Sequence, residues 1–223
     1  MLFNDRSDAG KRLATRLMSY ANDPDVIILA LPRGGVPVAY EIAEALNAPL
    51  DVFLVRKLGV PGHRELAMGA IASGGVCVIN DDVVNYLNIP DEVIDRVSQE
   101  ETQELYRREF LYRHGRAMPE LPGRTIILVD DGLATGSSMR VAVKALKLAK
   151  PSRIVVAVPV AAPTTCNDFK DEVDEIICLE TPESLQAIGL WYKDFSQTTD
   201  TQVQELLERS AQRTARRTTS KGA

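Results

Sequence analysis

The chain has 223 residues, of which 45% are hydrophobic and 26% are charged, and this composition is typical of an ordinary globular protein. Its formal net charge is −5, so it lacks the overall positive field of a nucleic-acid-binding protein and we expect no nucleic-acid partner. No apolar run approaches the roughly 20 residues of a membrane span, and residues 1–12 lack the apolar block of a signal peptide, so we expect a cytoplasmic protein without a membrane partner.

Short apolar runs alternate with amphipathic stretches, which is the pattern of βαβ units around a parallel sheet. In chain order, this pattern predicts a helix over 7–21, a strand over 26–31, a helix over 36–47, a strand over 50–56, a strand over 125–129, a helix over 137–149, a strand over 153–158, a helix over 164–171 and a strand over 174–179. Strands that are apolar on both faces are usually covered by helices on both sides. The chain is therefore predicted to form an α/β fold with a central parallel sheet.

Three regions lie outside this alternation. Residues 57–75 contain five of the fourteen glycines, and a glycine-rich loop of this length is more often functional than structural. Residues 91–116 are rich in charge, with Glu–Arg pairs four residues apart, and they predict one long exposed helix. That helix serves either as a solvated packing arm or as the surface of a homodimer. Residues 209–223 are basic, and we expect a frayed helix that ends in disorder.

The cysteines are Cys77, Cys166 and Cys178, an odd number with wide spacing and no CxxC pair. This arrangement argues against a disulfide framework and against a structural zinc site, so we expect three small buried residues. Two histidines, His63 and His114, are too few for a His-rich metal site.

Residues 126–139, with the sequence IILVDDGLATGSSM, carry the clearest chemical pattern. A buried strand ends in Asp130 and Asp131, and a loop then opens a helix whose first amides can bind a phosphate. In that loop Gly136 allows close approach of the backbone to an anion, and Thr135, Ser137 and Ser138 add hydroxyl donors. The two carboxylates can accept hydrogen bonds from a vicinal diol such as a ribose.

Two familiar phosphate-binding patterns are missing from this segment. It contains neither GxxxxGK[ST] nor GxGxxG, which excludes a P-loop and a dinucleotide fingerprint. A phosphatase with Asp130 as nucleophile would need a DxD-like spacing, which Asp-Asp-Gly does not provide. An ordinary strand-to-helix turn with an aspartate cap remains the structural alternative.

The segment resembles the 5-phosphoribosyl 1-pyrophosphate (PRPP) signature of type I phosphoribosyltransferases. The resemblance extends to LPRGGVPVA after the first strand, VRKLGVPGHRELAMGAI, and AIGLWYKDFSQTTD near the C-terminus. Together these stretches look like a bacterial and archaeal branch often labelled only as predicted phosphoribosyltransferases. The resemblance implies one domain over residues 1–208 with a Rossmann-like parallel sheet, a mobile loop and inserted helical segment over 57–120, and a small hood over 180–198.

The same resemblance implies roles for particular residues. Residues 134–138 would hold the 5-phosphate, the two aspartates the ribose hydroxyls, and a non-proline cis peptide at Pro32–Arg33 would turn amides toward pyrophosphate. The implied PRPP contacts are Gly34, Gly35, Asp130, Asp131, Ala134, Thr135, Gly136, Ser137 and Ser138. The implied catalytic cations, which would stabilise the departing pyrophosphate, are Arg33, Arg56 and Lys57. Mg²⁺ is the expected cofactor because it bridges pyrophosphate and ribose oxygens.

The acceptor is harder to infer. Trp191 and Tyr192 resemble the region of purine salvage enzymes whose aromatic residue stacks on the base, and Asp194 approximates a carboxylate that helps to place a metal. The alternative is that these aromatics pack a cover over the core. Ala134 stands where 6-oxopurine enzymes carry an acid, which argues against that proton-transfer arrangement.

Two function hypotheses follow from the sequence. The first is an enzyme that transfers phosphoribosyl from PRPP to a nitrogenous acceptor and releases pyrophosphate. The second is a regulatory protein that senses PRPP or a nucleotide in the same pocket without turnover. Ligands of open α/β sheets gather where the strand order reverses, so both hypotheses require residues 32–35 and 130–138 to flank one crevice.

Overall fold

The computed structural model of the chain describes residues 2–220. Its helices are α1 (Arg6–Ala14), α2 (Gly35–Leu46), α3 (Asp81–Leu87), α4 (Asp91–Arg113), α5 (Ser137–Leu148), α6 (Pro163–Asp168) and α7 (Asp200–Ser220). Its strands are β1 (Val26–Ala30), β2 (Leu50–Val52), β3 (Val55–Val60), β4 (His63–Ala72), β5 (Val76–Ile79), β6 (Thr125–Val129), β7 (Arg153–Val160) and β8 (Glu175–Glu180). In the described part of the chain, no helix is both long enough and apolar enough to cross a membrane.

Five parallel strands form the central sheet in the order β2-β1-β6-β7-β8. Alternate residues of β1 and β6 face opposite sides of this sheet, and each side carries its own hydrophobic core. Ile28 and Ile127 belong to the core covered by α2 and α7, whereas Ile27 and Ile126 belong to the core covered by α5. This arrangement confirms the predicted α/β fold, in which helices flank a parallel sheet.

Residues 57–75 form strands where the sequence analysis predicted a long loop. A second, antiparallel sheet has the order β3-β4-β5, and the predicted strand over 50–56 is divided between β2 and β3. Turns at Pro61–Gly62 and Gly74–Gly75 join the strands, and the positive φ angles of Gly62 and Gly74, +81° and +84°, suit glycine. Most of the apolar residues between the glycines are buried, although Leu66 is exposed, and this burial is what holds the hairpins together.

The long helix over 91–116 is confirmed as α4, but one of its faces is buried. Leu105 and Tyr112 are fully packed between α4 and the rest of the protein. Near the end of the helix, Arg113 donates hydrogen bonds to both carboxylate oxygens of Asp51 at 3.1 and 3.0 Å and to the Val52 carbonyl at 2.9 Å. Helix α4 is therefore anchored to β2, which an isolated solvated arm would not be.

The basic segment after residue 208, for which the sequence predicts a frayed helix that ends in disorder, continues helix α7 as far as Ser220. Arg213 pairs with Glu44 of α2 at 3.0 Å and donates to the Ala48 carbonyl at 3.0 Å. These contacts hold the helix against α2 at Arg213. The expected disorder at residues 221–223 lies outside the described residues.

The expectation for the cysteines was wrong. Cys166 of α6 and Cys178 of β8 form a disulfide bond, and Cys77 is exposed rather than buried. The pairing joins two elements that are adjacent in space although twelve residues apart in sequence. Spacing alone does not reveal such a proximity.

Candidate active site

Strands β1 and β6 are neighbours, with Ala30 opposite Val129 at their carboxyl ends. The order of the sheet reverses between them, since the chain proceeds from β1 to β2 on one side and from β6 to β7 on the other. The RGG loop (residues 31–35) and the ATGSS loop (residues 132–138) therefore leave the same edge of the sheet. This edge is where open α/β sheets bind their ligands.

The RGG loop touches the aspartates that precede the ATGSS loop. A β-carbon built on Gly34 would lie 2.0 Å from Asp131 Oδ2, and one on Gly35 would lie 2.7 Å from the Val129 carbonyl oxygen. Glycine is thus required at both positions to let the two chain segments meet. The two loops therefore lie against each other at one edge of the sheet.

The RGG loop contains the cis peptide bond at Pro32–Arg33 that the resemblance implied. The Arg33 guanidinium lies 3.8 Å from Asp200 Oδ1 at the start of α7. The same oxygen accepts a hydrogen bond of 2.6 Å from the Tyr112 hydroxyl of α4. Burial, reinforced by this hydrogen bond, raises the pKa of Tyr112 to about 12, so the hydroxyl keeps its proton at neutral pH.

The ATGSS loop presents donors to solvent at the start of α5. Gly136 caps that helix with a φ of +73°, and Ala134, Thr135, Ser137 and Ser138 are exposed. The N-cap glycine offers no side-chain hydrogen bond to the first amides of α5, so they are available to an anion together with the neighbouring hydroxyls.

Two side chains that the sequence analysis missed brace the ATGSS loop. Arg140 donates to the Thr135 carbonyl at 2.7 Å and to Glu172 Oε1 at 2.8 Å. Thr165 donates its hydroxyl to the Ala134 carbonyl at 2.6 Å. An arginine in the first turn of a helix is unfavourable because it lies at the positive end of the helix dipole. This placement was a sequence feature that could have indicated a tertiary role for Arg140.

The adjacent carboxylates are held in different environments. The Asp131 amide donates to Asp130 Oδ1 at 2.8 Å, and Arg6 Nε donates to Asp131 Oδ2 at 2.8 Å. Burial, followed by the neighbouring charge of Asp131, raises the pKa of Asp130 well above its usual value. Burial also raises the pKa of Asp131, and the ion pair with Arg6 opposes that rise. Arg6 was not singled out in the sequence analysis.

Comparison with known proteins identifies the family. The profile of the phosphoribosyl transferase domain matches residues 4–192. This chain belongs to the phosphoribosyl transferase family. The family and its fold are those of pentosyl-transferring enzymes, and the match includes both loops and the twin aspartates.

Individual relatives agree with this assignment. A Mycobacterium tuberculosis protein provisionally named a phosphoribosyl transferase is 44% identical over 209 residues, which is 94% of this chain and 47% of that protein. The chain thus spans about half the length of this curated relative. The crystal structure of the Thermus thermophilus protein TT1426 is similar, with a TM-score of 0.82 and 39% identity over 94% of this chain and 99% of that one. The bifunctional protein PyrR of Roseiflexus sp. is 34% identical over 146 residues, covering 61% of this chain and 68% of that protein.

In this phosphoribosyl transferase, Tyr192 does not present an open face for stacking. Its side chain is 5% exposed and packs between Phe3 and Phe195, with ring centroids 5.3 and 5.0 Å away. Its hydroxyl donates to the Asp131 carbonyl at 2.6 Å, which ties the hood segment (residues 180–198) to the twin aspartates. Trp191 is half-buried in the same cluster. Tyr192 thus packs over the core, and its role toward an acceptor stays a prediction.

The proposed cations Arg56 and Lys57 lie on β3, beside α4. Arg56 Nε donates to Glu101 Oε2 of α4 at 2.7 Å, so its charge is already paired. Lys57 is exposed and lines a cavity of about 650 Å³ between the β3–β4 turn and α4. Of the three candidate cations, Arg33 is the one that belongs to the RGG loop itself, with Asp200 3.8 Å away.

Among the described residues, no group of three or more His, Cys, Asp or Glu side chains could hold a metal ion. Asp194 is exposed, and one of its carboxylate oxygens accepts a hydrogen bond of 2.9 Å from the Ser196 amide, which lowers its pKa. Within the same described part of the chain, it forms part of no such cluster. In proteins generally, Mg²⁺ usually keeps several waters and binds substrate phosphates with few dedicated protein ligands.

Proposed function

We propose that this domain transfers the 5-phosphoribosyl group of PRPP to a nitrogenous acceptor and releases pyrophosphate. The observation that carries the proposal is the meeting of the RGG and ATGSS loops at the ends of adjacent strands, with Asp130 and Asp131 between them. A substrate with a phosphate at one end, a diol in the middle and a diphosphate at the other end matches this order of groups.

Each part of the substrate has a proposed contact. The exposed amides and hydroxyls of residues 134–138 bind the 5-phosphate at the start of α5. Asp130 and Asp131 accept hydrogen bonds from the ribose hydroxyls. The amides of Gly34 and Gly35, together with Arg33, bind the pyrophosphate group.

The proposed reaction breaks the bond between C1 of the ribose and the pyrophosphate oxygen and forms a bond from C1 to the acceptor nitrogen. Positive charge develops on the ribose and negative charge on the leaving group. Arg33 stabilises that negative charge, and the crevice positions the two reactants. Arg56 and Lys57 would join Arg33 only if the β3–β4 hairpin moves toward the crevice during turnover.

The expected cofactor is Mg²⁺, which when bound would neutralise part of the diphosphate charge. In this proposal, the chain supplies the surrounding hydrogen-bond donors and acceptors, and the substrate oxygens and waters supply most of the metal ligands. Asp194, which lies outside any carboxylate cluster of the described residues, is not part of the proposal.

The sensor hypothesis stays as the alternative because Tyr192 is covered and so offers no open aromatic face to an acceptor. A sensor would bind PRPP or a nucleotide in the same crevice without turnover. Release of pyrophosphate is therefore the deciding measurement.

The experiment measures pyrophosphate release from PRPP and Mg²⁺ across a panel of purine and pyrimidine bases. We expect release with at least one base and its loss in Asp130→Asn and Asp131→Asn. Asp95→Asn, which alters an exposed carboxylate on α4, is the matched control and should retain activity. Tight PRPP binding without release for any base would support the sensor instead. Absence of PRPP binding would reject the transferase, and absence of binding to PRPP and to every nucleotide tested would reject both hypotheses.

A further inference from the structure

Arg6, in the first turn of α1, contacts both the twin aspartates and the hood segment. Its Nε lies 2.8 Å from Asp131 Oδ2, and both side chains are nearly buried, with 11% and 13% of their surfaces exposed. Its Nη1 donates to the Ser196 carbonyl at 2.7 Å, and its guanidinium carbon lies 3.9 Å from the centre of the Phe195 ring. One side chain therefore joins α1, the twin aspartates and the hood segment.

The placement of Arg6 is unfavourable for helix α1 by itself. A cation in the first turn faces the positive end of the helix dipole, so local helix stability does not explain this residue. A nearly buried carboxylate, in contrast, needs a charged or hydrogen-bonding partner. The surroundings of Asp131 therefore account for an arginine at this position.

We propose that Arg6 is a positioning residue for the ribose site, which holds the Asp131 carboxylate toward the crevice and links it to the hood segment. This inference rests on the proposed function, because it assumes that Asp131 accepts a hydrogen bond from the ribose. Arg6 acts through Asp131 and does not touch the reacting atoms. Binding of ribose to Asp131 and packing of the hood segment against Arg6 are then coupled.

Among the described residues, the charged and titratable groups seen to face Asp131 come from three elements. Arg6 approaches from α1, Asp130 precedes it in the same loop, and Tyr192 of the hood segment donates to its carbonyl. Gly34 approaches from the RGG loop and carries no charge. Arg6 is the cation of this set, so its removal makes the ionised form of Asp131 less favourable and moves the loss of PRPP affinity on acidification to a higher pH.

The experiment measures PRPP affinity by calorimetry, with Mg²⁺ present, across a series of pH values. We expect Arg6→Gln to weaken binding by roughly tenfold to a hundredfold, as the loss of a charge-assisted hydrogen bond to a buried group does. We also expect the acidic limb of the affinity profile, which is the fall in PRPP affinity as pH decreases, to lie at higher pH in Arg6→Gln than in the unsubstituted protein. Arg6→Lys should restore the acidic limb, because it keeps the charge, but only part of the affinity, because an ammonium lacks the planar fork.

Two controls separate positioning from folding. Lys11→Gln removes the same charge from the same helix at an exposed position, 4.0 Å from Glu41, and should leave PRPP affinity unchanged. In an Asp131→Asn background, Arg6→Gln should cost little further affinity, because the group through which Arg6 acts has lost its charge. Thermal melting of each variant shows whether the domain stays folded.

The outcomes are distinguishable from failure of the proposed function. Absence of PRPP binding by the unsubstituted protein would overturn the proposed function and this inference with it. Normal binding by Arg6→Gln, or weakened binding with an unmoved acidic limb, would overturn the inference alone. If Arg6→Gln weakened PRPP binding equally in the unsubstituted protein and in the Asp131→Asn background, this would likewise show that Arg6 does not act through the Asp131 carboxylate.

Discussion

Gly34 and Asp131 are in such close contact that a β-carbon on the glycine would lie 2.0 Å from a carboxylate oxygen. They are almost a hundred residues apart in sequence and meet because β1 and β6 are adjacent in the sheet. The carboxylate cannot simply rotate away, since Arg6 holds the same oxygen at 2.8 Å. The RGG loop and the twin aspartates thus form one structural unit.

The first prediction concerns Gly34→Ala. The φ of Gly34 is −61°, which alanine adopts freely, so any effect comes from lack of space. We expect a loss of about 1–3 kcal/mol in the free energy of unfolding, together with weaker PRPP binding. Urea denaturation and calorimetry would measure the two effects. In an Asp131→Ala background the clash is absent and the stability cost should shrink; an undiminished cost would contradict the explanation.

The second prediction concerns Asp130→Asn. Because the folded protein raises the pKa of Asp130 above 3.8, the contribution of Asp130 to stability is greatest below that pH and is lost as pH rises through the higher folded value. Asparagine removes this penalty and keeps the oxygen that accepts from the Asp131 amide. We expect stability at neutral pH to rise by about 1 kcal/mol while PRPP affinity falls. Urea denaturation at several pH values should show the gain disappearing toward pH 3.8, and a gain independent of pH would contradict the assignment.

The third prediction concerns Gly136→Ala in the ATGSS loop. Alanine would be strained at a φ of +73°, and its β-carbon would lie 2.8 Å from Phe169 Cε2. Gly123→Ala is the matched control, because Gly123 has the same φ of +73° and, apart from its two chain neighbours, no described residue within 4 Å of the added carbon. We expect both variants to lose about 1 kcal/mol from backbone strain. Gly136→Ala should lose further stability beyond this strain, because of the contact with Phe169, and should bind inorganic phosphate and PRPP more weakly. Gly123→Ala should show neither effect.

The fourth prediction concerns Tyr112→Phe, which removes the hydrogen bond to Asp200 and so loosens the partner of Arg33. We expect a stability loss of about 1 kcal/mol and PRPP binding weakened severalfold. Tyr20→Phe is the control, because Tyr20 also donates to a carboxylate, Glu175, and also has a pKa raised to about 12. That variant should lose similar stability with unchanged PRPP affinity. Equal affinities for the two variants would show that Tyr112 does not influence the RGG loop.

Much of the candidate site could be read from short stretches of sequence. The ATGSS loop follows an apolar strand and starts a helix, and such a loop depends on a few consecutive residues. The hairpins over 57–75 were missed because their glycines mask the alternation that marks a strand. These residues form strands because the structure buries most of their apolar side chains, which the local pattern does not show. Cys166 and Cys178 were missed because their proximity depends on how α6 packs against β8.

The sequence by itself determined the alternation of strands and helices, the two glycine-containing loops and the twin aspartates, because each follows from the spacing and chemistry of neighbouring residues. Only the tertiary structure decided that β1 lies beside β6, that Arg6 pairs with Asp131, and that Asp200 lies between Arg33 and Tyr112. These relationships join residues that are far apart in the chain. Local periodicity carries no information about such partners, and they are selected when the sheet and its covering helices bury their apolar faces together.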